Sequence, residues 1–222
     1  MSSEIEFKIP MNIETAKSVL AKIFNDNISY MLKIKQDKYW KRPGASTSNI
    51  NVIRLRSDHL VKDSELAVYD NLVESWFFAE LTNDQLSKLD TSDDERFLTY
   101  KNKVVVNNVE RNEELEESVS SSMWNVLNRC FNNIGECYFN KVKRCLTFKK
   151  CYNDNFTMTI DVCNVNNKYY YFEIEKVINK SHISETDINT YTHHMEDYIK
   201  NEFGLNPMDK DSRPWIEIIR ED

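Results

Sequence analysis

The stretch Glu4-Ile5-Glu6-Phe7-Lys8-Ile9 alternates charged and apolar residues, and Phe172-Glu173-Ile174-Glu175-Lys176-Val177 repeats the pattern late in the chain. In a β-strand this period of two points Glu4 and Glu6 to one face, and Glu173 and Glu175 likewise. One such strand alone ordinarily turns its charges to water. Two acidic pairs on a shared surface repel one another and resist burial unless a cation neutralises them, and their oxygen donors suit a hard divalent ion, Mg²⁺ or Mn²⁺.

Working outward, the alternation recurs with the opposite sign. In Asn51-Val52-Ile53-Arg54-Leu55-Arg56 the two arginines share one face and Ile53 and Leu55 the other. Phe97 to Val104 places Thr99, Lys101 and Lys103 together, and Thr159-Ile160-Asp161 offers a further acid. In Lys141-Val142-Lys143-Arg144 strict alternation favours Lys141 and Lys143, while distance from the Asp161 strand also admits Arg144. A curled sheet gathers these charges into one polar lumen and leaves Ile5, Phe7, Ile53, Leu55, Ile160 and Ile174 facing outward, to be covered by helices.

The sequence supplies such helices. Residues 13–24 carry apolar side chains at helical spacing behind the N-cap candidate Asn12, and 184–203 begins with a capping-box-like Ser184-x-x-Asp187 and ends at Gly204. Residues 119–134 form a third amphipathic helix, with an expected core face of Met123, Val126, Leu127, Cys130 and Ile134. Ser29–Ile34 and Lys38–Trp40 read as hairpin strands with a turn at Pro43-Gly44. Tyr138–Lys149 and Phe156–Val162 read as a hairpin leading into Tyr169–Val177. Between Ser57 and Glu95 the pattern is mixed: Glu65–Leu81 fits a strand pair or a helix, and Thr82–Leu89 a short capped helix. Glu110–Glu117 reads as an acidic turn and Trp215–Ile219 as a last short strand.

With 222 residues and 41% hydrophobic content the chain suffices for a single domain spanning 1–222. Its three glycines exclude a Gly-rich phosphate loop, so any phosphate must be held by side chains. The net charge of −7 argues against duplex DNA as a partner. The five cysteines form no Cys-x-x-Cys pair, so neither a zinc site nor a disulfide framework is expected, and reduced thiols in a cytoplasmic compartment fit. No run approaches the roughly 18 apolar residues of a membrane span.

In order and spacing these strings resemble the CYTH, or triphosphate tunnel metalloenzyme, family. Glu4-Ile5-Glu6-Phe7-Lys8 is similar to the family's opening Glu-x-Glu-x-Lys, Gln36-Asp37-Lys38-Tyr39-Trp40 to its aromatic strand, and Ile53-Arg54-Leu55-Arg56 to its Leu-Arg-x-Arg strand. Leu98-Thr99-Tyr100-Lys101 resembles its Leu-Thr-x-Lys. Thr159-Ile160-Asp161 and Phe172-Glu173-Ile174-Glu175 resemble its Ile-Asp and second Glu-x-Glu strands. The resemblance implies an α+β fold: a closed eight-stranded antiparallel β-barrel tunnel with a polar interior, flanked by helices. It places Glu4, Glu6, Asp161, Glu173 and Glu175 on Mg²⁺ or Mn²⁺, and Lys8, Arg54, Arg56 and Lys101 on phosphates. The chain departs from the family in an insertion at about 57–97, which admits Lys62 as a substitute for Lys101.

The expected activity is metal-dependent hydrolysis of the terminal phosphate of inorganic triphosphate, a nucleoside triphosphate or a related organic triphosphate. Glu4, Glu6, Lys8, Arg54, Arg56, Lys101, Glu173 and Glu175 are the expected catalytic set. Lys141, Lys143 and Arg144 are further candidates for substrate binding. Class IV-type adenylyl cyclisation of ATP to cyclic AMP and pyrophosphate is the alternative reaction. RNA 5′-triphosphatase activity follows, with an RNA 5′ end as partner. Non-enzymatic sequestration of a nucleotide or polyphosphate is the fourth reading.

Overall fold

The outward faces of the strands determine the architecture. Ile5, Phe7 and Ile9 are buried beside Ile160, Val162, Phe172 and Ile174, and Ala16, Val19, Leu20, Ile23, Met195 and Ile199 of two helices pack into the same core. A computed structural model describes residues 2–41, 52–106, 109–134, 139–153, 156–178, 184–213 and 215–219. Its strands are β1 (Ser2–Met11), β2 (Met31–Lys41), β3 (Val52–Leu60), β4 (Glu95–Val106), β5 (Val109–Ser118), β6 (Phe139–Asn153), β7 (Phe156–Val165) and β8 (Tyr169–Ile178). The helices are α1 (Ile13–Asn25), α2 (Asp63–Leu66), α3 (Val73–Phe78), α4 (Asn83–Ser87), α5 (Ser121–Ile134), α6 (Glu185–Phe203) and α7 (Trp215–Ile218).

All eight strands join one antiparallel sheet in the order β1-β5-β4-β3-β2-β6-β7-β8. The sheet curls strongly. β1 pairs with β8 from Ser3–Ile178 to Met11–Tyr170, and with β5 over the short run Ser2–Glu4 against Asn112–Glu114. α1 packs on β1 and β8, and α6 on β1. Both helices start and stop where side chains and backbone allow. Asn12 accepts from the Thr15 amide, Ser184 accepts from the Asp187 amide, and Gly204 takes the left-handed φ of 64° that ends α6.

Several elements differ from the sequence reading. β2 is one continuous strand, and the expected turn at Pro43-Gly44 lies outside the described residues. The acidic stretch expected to turn is strand β5, held by Glu117 opposite Leu98 and Glu116 opposite Thr99. Between β3 and β4 the open choice of strand pair or helix falls to helix, the capped helix behind Thr82 forms as expected, and the trio Trp76, Phe77 and Phe78 packs inward, Trp76 and Phe77 being buried. Trp215–Ile219 forms α7 in place of a strand because Trp215 and Ile218, three residues apart, point to one buried cluster.

α5 is rotated from its expected phase. Met123, Val126 and Cys130 are exposed. Of the expected face Leu127 does turn inward, and it is joined by Trp124 and Phe131, which are bulkier, with Phe131 at 5.2 Å from the Trp40 ring.

The helical connection is pinned to the sheet by His59 on the outer face of β3. Its Nδ1 is 2.8 Å from Asp94 and its Nε2 2.8 Å from Glu65, while Ser57 donates to Asp94 at 2.6 Å. The hydrogen bond to Asp94 raises the imidazole pKa, burial opposes it, and Glu65 adds to the rise. The stabilisation given by charged His59 is therefore complete below the ordinary histidine range and is lost as pH rises through the raised value. His59→Gln is expected to lower unfolding free energy by about 1–3 kcal/mol in urea titrations below pH 6, with a smaller deficit in alkaline buffer. An equal deficit at both would show that the charge contributes nothing.

Candidate functional site

The inward faces of the strands carry charge in two territories. β1, β8 and β7 are neighbours and supply the acids. Glu6 stands opposite Glu175, Lys8 opposite Glu173, and Asp161 opposite Glu173. β3, β2 and β6 are neighbours on the other side and supply Arg54, Arg56, Lys35, Lys141 and Lys143. Glu4, Lys8, Lys35, Asp37, Arg54, Lys141, Lys143, Asp161 and Glu173 are all buried. The sequence period explains this: each strand spends most of its apolar positions on the outer face, where the helices are, and leaves its charged positions to the lumen.

Buried charges on this scale persist only when paired. Asp37 accepts from Arg56 Nε at 2.7 Å, from Tyr39 OH at 3.0 Å, and lies 2.9 Å from Lys141 Nζ. Burial works to raise the Asp37 carboxyl, but Arg56 and Lys141 outweigh it and hold the group well below the usual carboxylate range. Lys141 itself is brought down to about 7, chiefly by burial, with Asp37 opposing and Lys143 and Arg56 adding repulsion. Arg54 donates to Thr99 at 3.0 Å and to Glu116 at 3.0 Å.

The two territories meet in two ion pairs, Lys35 with Asp161 and Lys143 with Glu173. Thr147 also donates to Asp161. Burial would raise both carboxyls, yet Lys35 and Lys143 keep Asp161 low, and Lys143 and Lys141 bring Glu173 to about 2. Glu175 behaves oppositely. Burial raises it, the negative charges of Asp161 and Glu6 raise it further, and Lys35 and a hydrogen bond from Glu4 only partly offset them. This is the signature of carboxylates crowded beyond what the surrounding lysines neutralise, and the all-oxygen donor set fits a hard divalent cation.

The C-terminal turn reaches into the same interior. Trp215 donates its indole N–H to Glu173 at 3.0 Å, and its ring lies 4.9 Å from Lys141 Nζ, 5.6 Å from Lys143 and 5.8 Å from Lys8. With Ile218 it packs on Cys145, Cys163, Val165 and Tyr171, where β7 turns into β8. Lys8 additionally donates to the Arg213 carbonyl at 2.6 Å.

The structure thus brings Glu4, Glu6, Lys8, Arg54, Arg56, Lys141, Lys143, Asp161, Glu173 and Glu175 to one interior face. The side chain of Lys101 lies outside the described part, although its backbone pairs with Val52 and Glu114. Lys62 is not a substitute for it, because it sits in the helical connection and donates to Asp90 at 2.8 Å. Arg144 is a correction. It belongs to the outer face of β6, where it donates to the Trp76 carbonyl at 2.6 Å and to Asn167 at 2.8 Å. The residues missed from sequence are Lys35, Asp37 and Trp215; alternation along Lys33-x-Lys35-x-Asp37-x-Tyr39 was the available signal for the first two.

No family model matches the sequence, and no curated protein matches it. Solved structures do. The PH1819 protein of Pyrococcus horikoshii aligns over 98% of both chains with a TM-score of 0.59 at 18% identity. HpAC1 of Hippeastrum, described as a candidate adenylyl cyclase with a dominant triphosphatase activity, aligns over 100% of this chain and 96% of its own, with a TM-score of 0.54 at 10% identity. A chain of the Schizosaccharomyces pombe Mediator head module aligns over 90% of this chain and 96% of its own, with a TM-score of 0.52 at 7% identity. The structural neighbours include CYTH-type proteins, and this chain shares their fold. At these identities the likeness concerns the fold.

The two faces of β6 make a direct comparison. Arg144→Met strips the buried Trp76 carbonyl of its donor and is expected to cost about 1–3 kcal/mol in urea unfolding while leaving calorimetric binding of inorganic triphosphate unchanged. Lys141→Met is expected to weaken that binding by about tenfold or more, the worth of one charge-assisted bond. Equal effects on binding would place Arg144 on the inner face after all.

Proposed function

We propose that the protein is a triphosphatase that releases the terminal phosphate of inorganic triphosphate, a nucleoside triphosphate or a related organic triphosphate, with Mg²⁺ or Mn²⁺ as cofactor. The observation that carries this reading is the division of one buried interior into an acidic wall on β1, β8 and β7 and a basic wall on β3, β2 and β6. In this reading the curled sheet is a complete tunnel, 1–222 is one domain, and the helical connection after β3 is an insertion into it. The occurrence of triphosphatase activity in a protein of like fold, HpAC1, supports it.

Glu4, Glu6, Asp161, Glu173 and Glu175 would hold the cation, which when bound supplies neutralisation of phosphate charge. The residues of the chain do the remaining work. Lys8, Arg54, Arg56, Lys101, Lys141 and Lys143 grip the phosphate oxygens and stabilise the charge that spreads over them in the transition state. The ion pairs of Lys35 with Asp161 and Lys143 with Glu173 hold opposite charges together where the two walls meet. With substrate and cation bound, the carboxylates would hold the cation and the ammonium groups would pair with phosphate oxygens, compensating both sets of charges. A carboxylate of the acidic wall orients a water molecule in line with the leaving oxygen. Trp215 and Ile218 fill the end where β7 turns into β8, so substrate enters from the other end.

The test is product analysis of purified protein with Mn²⁺ and, separately, inorganic triphosphate, ATP, thiamine triphosphate and 5′-triphosphate RNA. Orthophosphate release is expected, and Glu6→Gln or Glu175→Gln is expected to lower kcat by about 10²–10³, the loss typical of removing one electrostatic contact in an active site. Cyclic AMP with pyrophosphate from ATP would replace this reading by the cyclase. Tight binding without turnover would replace it by sequestration.

A further inference from the structure

Two cysteines occupy the interior wall beside the acids, and the proposed hydrolysis has no use for them. Cys145 of β6 and Cys163 of β7 stand directly opposite each other in the strand register, both wholly buried and both reduced. Their sulfurs are 3.6 Å apart. Cys145, Cys163 and Asp161 each offer a ligand atom within 4.8 Å of the others. Cys163 Sγ is also 3.6 Å from Glu173 Oε2.

The sulfur–sulfur span and the Cys163–Glu173 span match one coordination geometry. With Zn–S bonds of about 2.3 Å and Zn–O bonds of about 2.0–2.2 Å, a tetrahedral zinc ion separates two sulfurs by roughly 3.8 Å and a sulfur from an oxygen by roughly 3.5 Å. We propose that Cys145, Cys163 and Asp161, with Glu173 reaching in from the Cys163 side as fourth donor, form a binding site for a thiophilic divalent cation of the Zn²⁺ class within the same interior. Thiolate donors select zinc over magnesium, so this site is chemically distinct from the all-oxygen set although it shares two carboxylates with it.

The surroundings complete the site. Two thiolates and two carboxylates around a dication leave two negative charges in excess, and Lys35 and Lys143, already paired with Asp161 and Glu173, balance them. Thr147 donates to Asp161, and Trp215 donates to Glu173 through Oε1 at 3.0 Å, while Oε2, which accepts from Lys143, is the oxygen that faces Cys163. Such outer hydrogen bonds orient carboxylate ligands and tune their basicity. As each Zn–S bond forms, the S–H bond breaks and its proton passes to the buffer. Zinc held here withdraws Asp161 and Glu173 from the hard-cation set, so it antagonises Mg²⁺ or Mn²⁺ in the proposed reaction. Zinc binding itself does not rest on that reaction.

The experiment is an anaerobic Co²⁺ titration of metal-free, reduced protein in which Cys130, Cys137 and Cys151 are replaced by Ser. Expected are one Co²⁺ per chain, a near-ultraviolet thiolate-to-cobalt charge-transfer band, and loss of that band when Zn²⁺ is added. Cys145→Ser and Cys163→Ser should each diminish the band and weaken Zn²⁺ binding by at least the roughly 10–100-fold that loss of an outer partner costs. Absence of the band in the parent protein, which requires no further variant to fold, overturns the proposal. So does Zn²⁺ binding of parental affinity in the double Ser variant. Neither readout uses catalysis, so a protein that binds Zn²⁺ through sulfur without hydrolysing triphosphate refutes only the proposed function, and the converse result refutes only this site.

Discussion

Neutralisation of charge inside a curled sheet is the constraint on which the rest of the molecule depends. An ordinary half-exposed sheet buries its apolar face and wets its charged one. Here the apolar face points outward to α1 and α6, so the charged face is left to look at itself. Water is largely excluded from Asp37, Lys141, Lys143, Asp161 and Glu173, and each must find an opposite charge within hydrogen-bonding reach. Placing acids on β1, β8 and β7 and bases on β3, β2 and β6 satisfies that demand where the two walls meet, at Lys35–Asp161 and Lys143–Glu173, and Asp37 satisfies it within the basic wall through Arg56 and Lys141. Farther from the junction the balance fails, and Glu175 is pushed up by its acidic neighbours.

Much of this was legible because contrast between neighbouring residues reveals the two faces of a strand. Glu4-Ile5-Glu6-Phe7 and Glu173-Ile174-Glu175 carry maximal contrast, and the structure puts these acids inward and these apolar residues outward. β2 lacks that contrast. In Ile34-Lys35-Gln36-Asp37-Lys38 the outer position Lys38 is as charged as the inner ones, since it finds Asn128 of α5 at 3.2 Å, so Lys35 and Asp37 did not stand out. β5 lacks it too, as its sequence Glu113-Glu114-Leu115-Glu116-Glu117 repeats acids at adjacent positions. Its strand character comes from pairing with β4 and β1 rather than from its own pattern.

Other features required tertiary information. The face of Arg144 depends on a carbonyl, that of Trp76, supplied by a helix 68 residues earlier. α5 offers two apolar stripes of equal spacing, and only the position of Trp40 selects the one containing Phe131. Trp215-Ile216-Glu217-Ile218-Ile219 satisfies both a strand period and the three- and four-residue spacing of a helix. The cavity that accepts Trp215 and Ile218 decides between them. Local pattern fails in each case because the deciding partner is distant in sequence.

The fold alone does not assign an activity, since it is shared at similar TM-scores by HpAC1 and by a chain of the Mediator head module. What argues for chemistry in this chain is energetic. Replacing buried ion pairs with well-packed apolar residues of similar volume is often neutral or stabilising, so an interior selected for stability alone has no need of this many charges. The pattern of those charges is not that of a self-contained salt-bridge core either. Asp37 serves Arg56 and Lys141 at once, Glu173 serves Lys143 and Trp215, and Glu175 is crowded by acids. Such a surface is incomplete without a guest that brings positive charge to one wall and negative charge to the other, which is what a polyphosphate carrying a divalent cation provides.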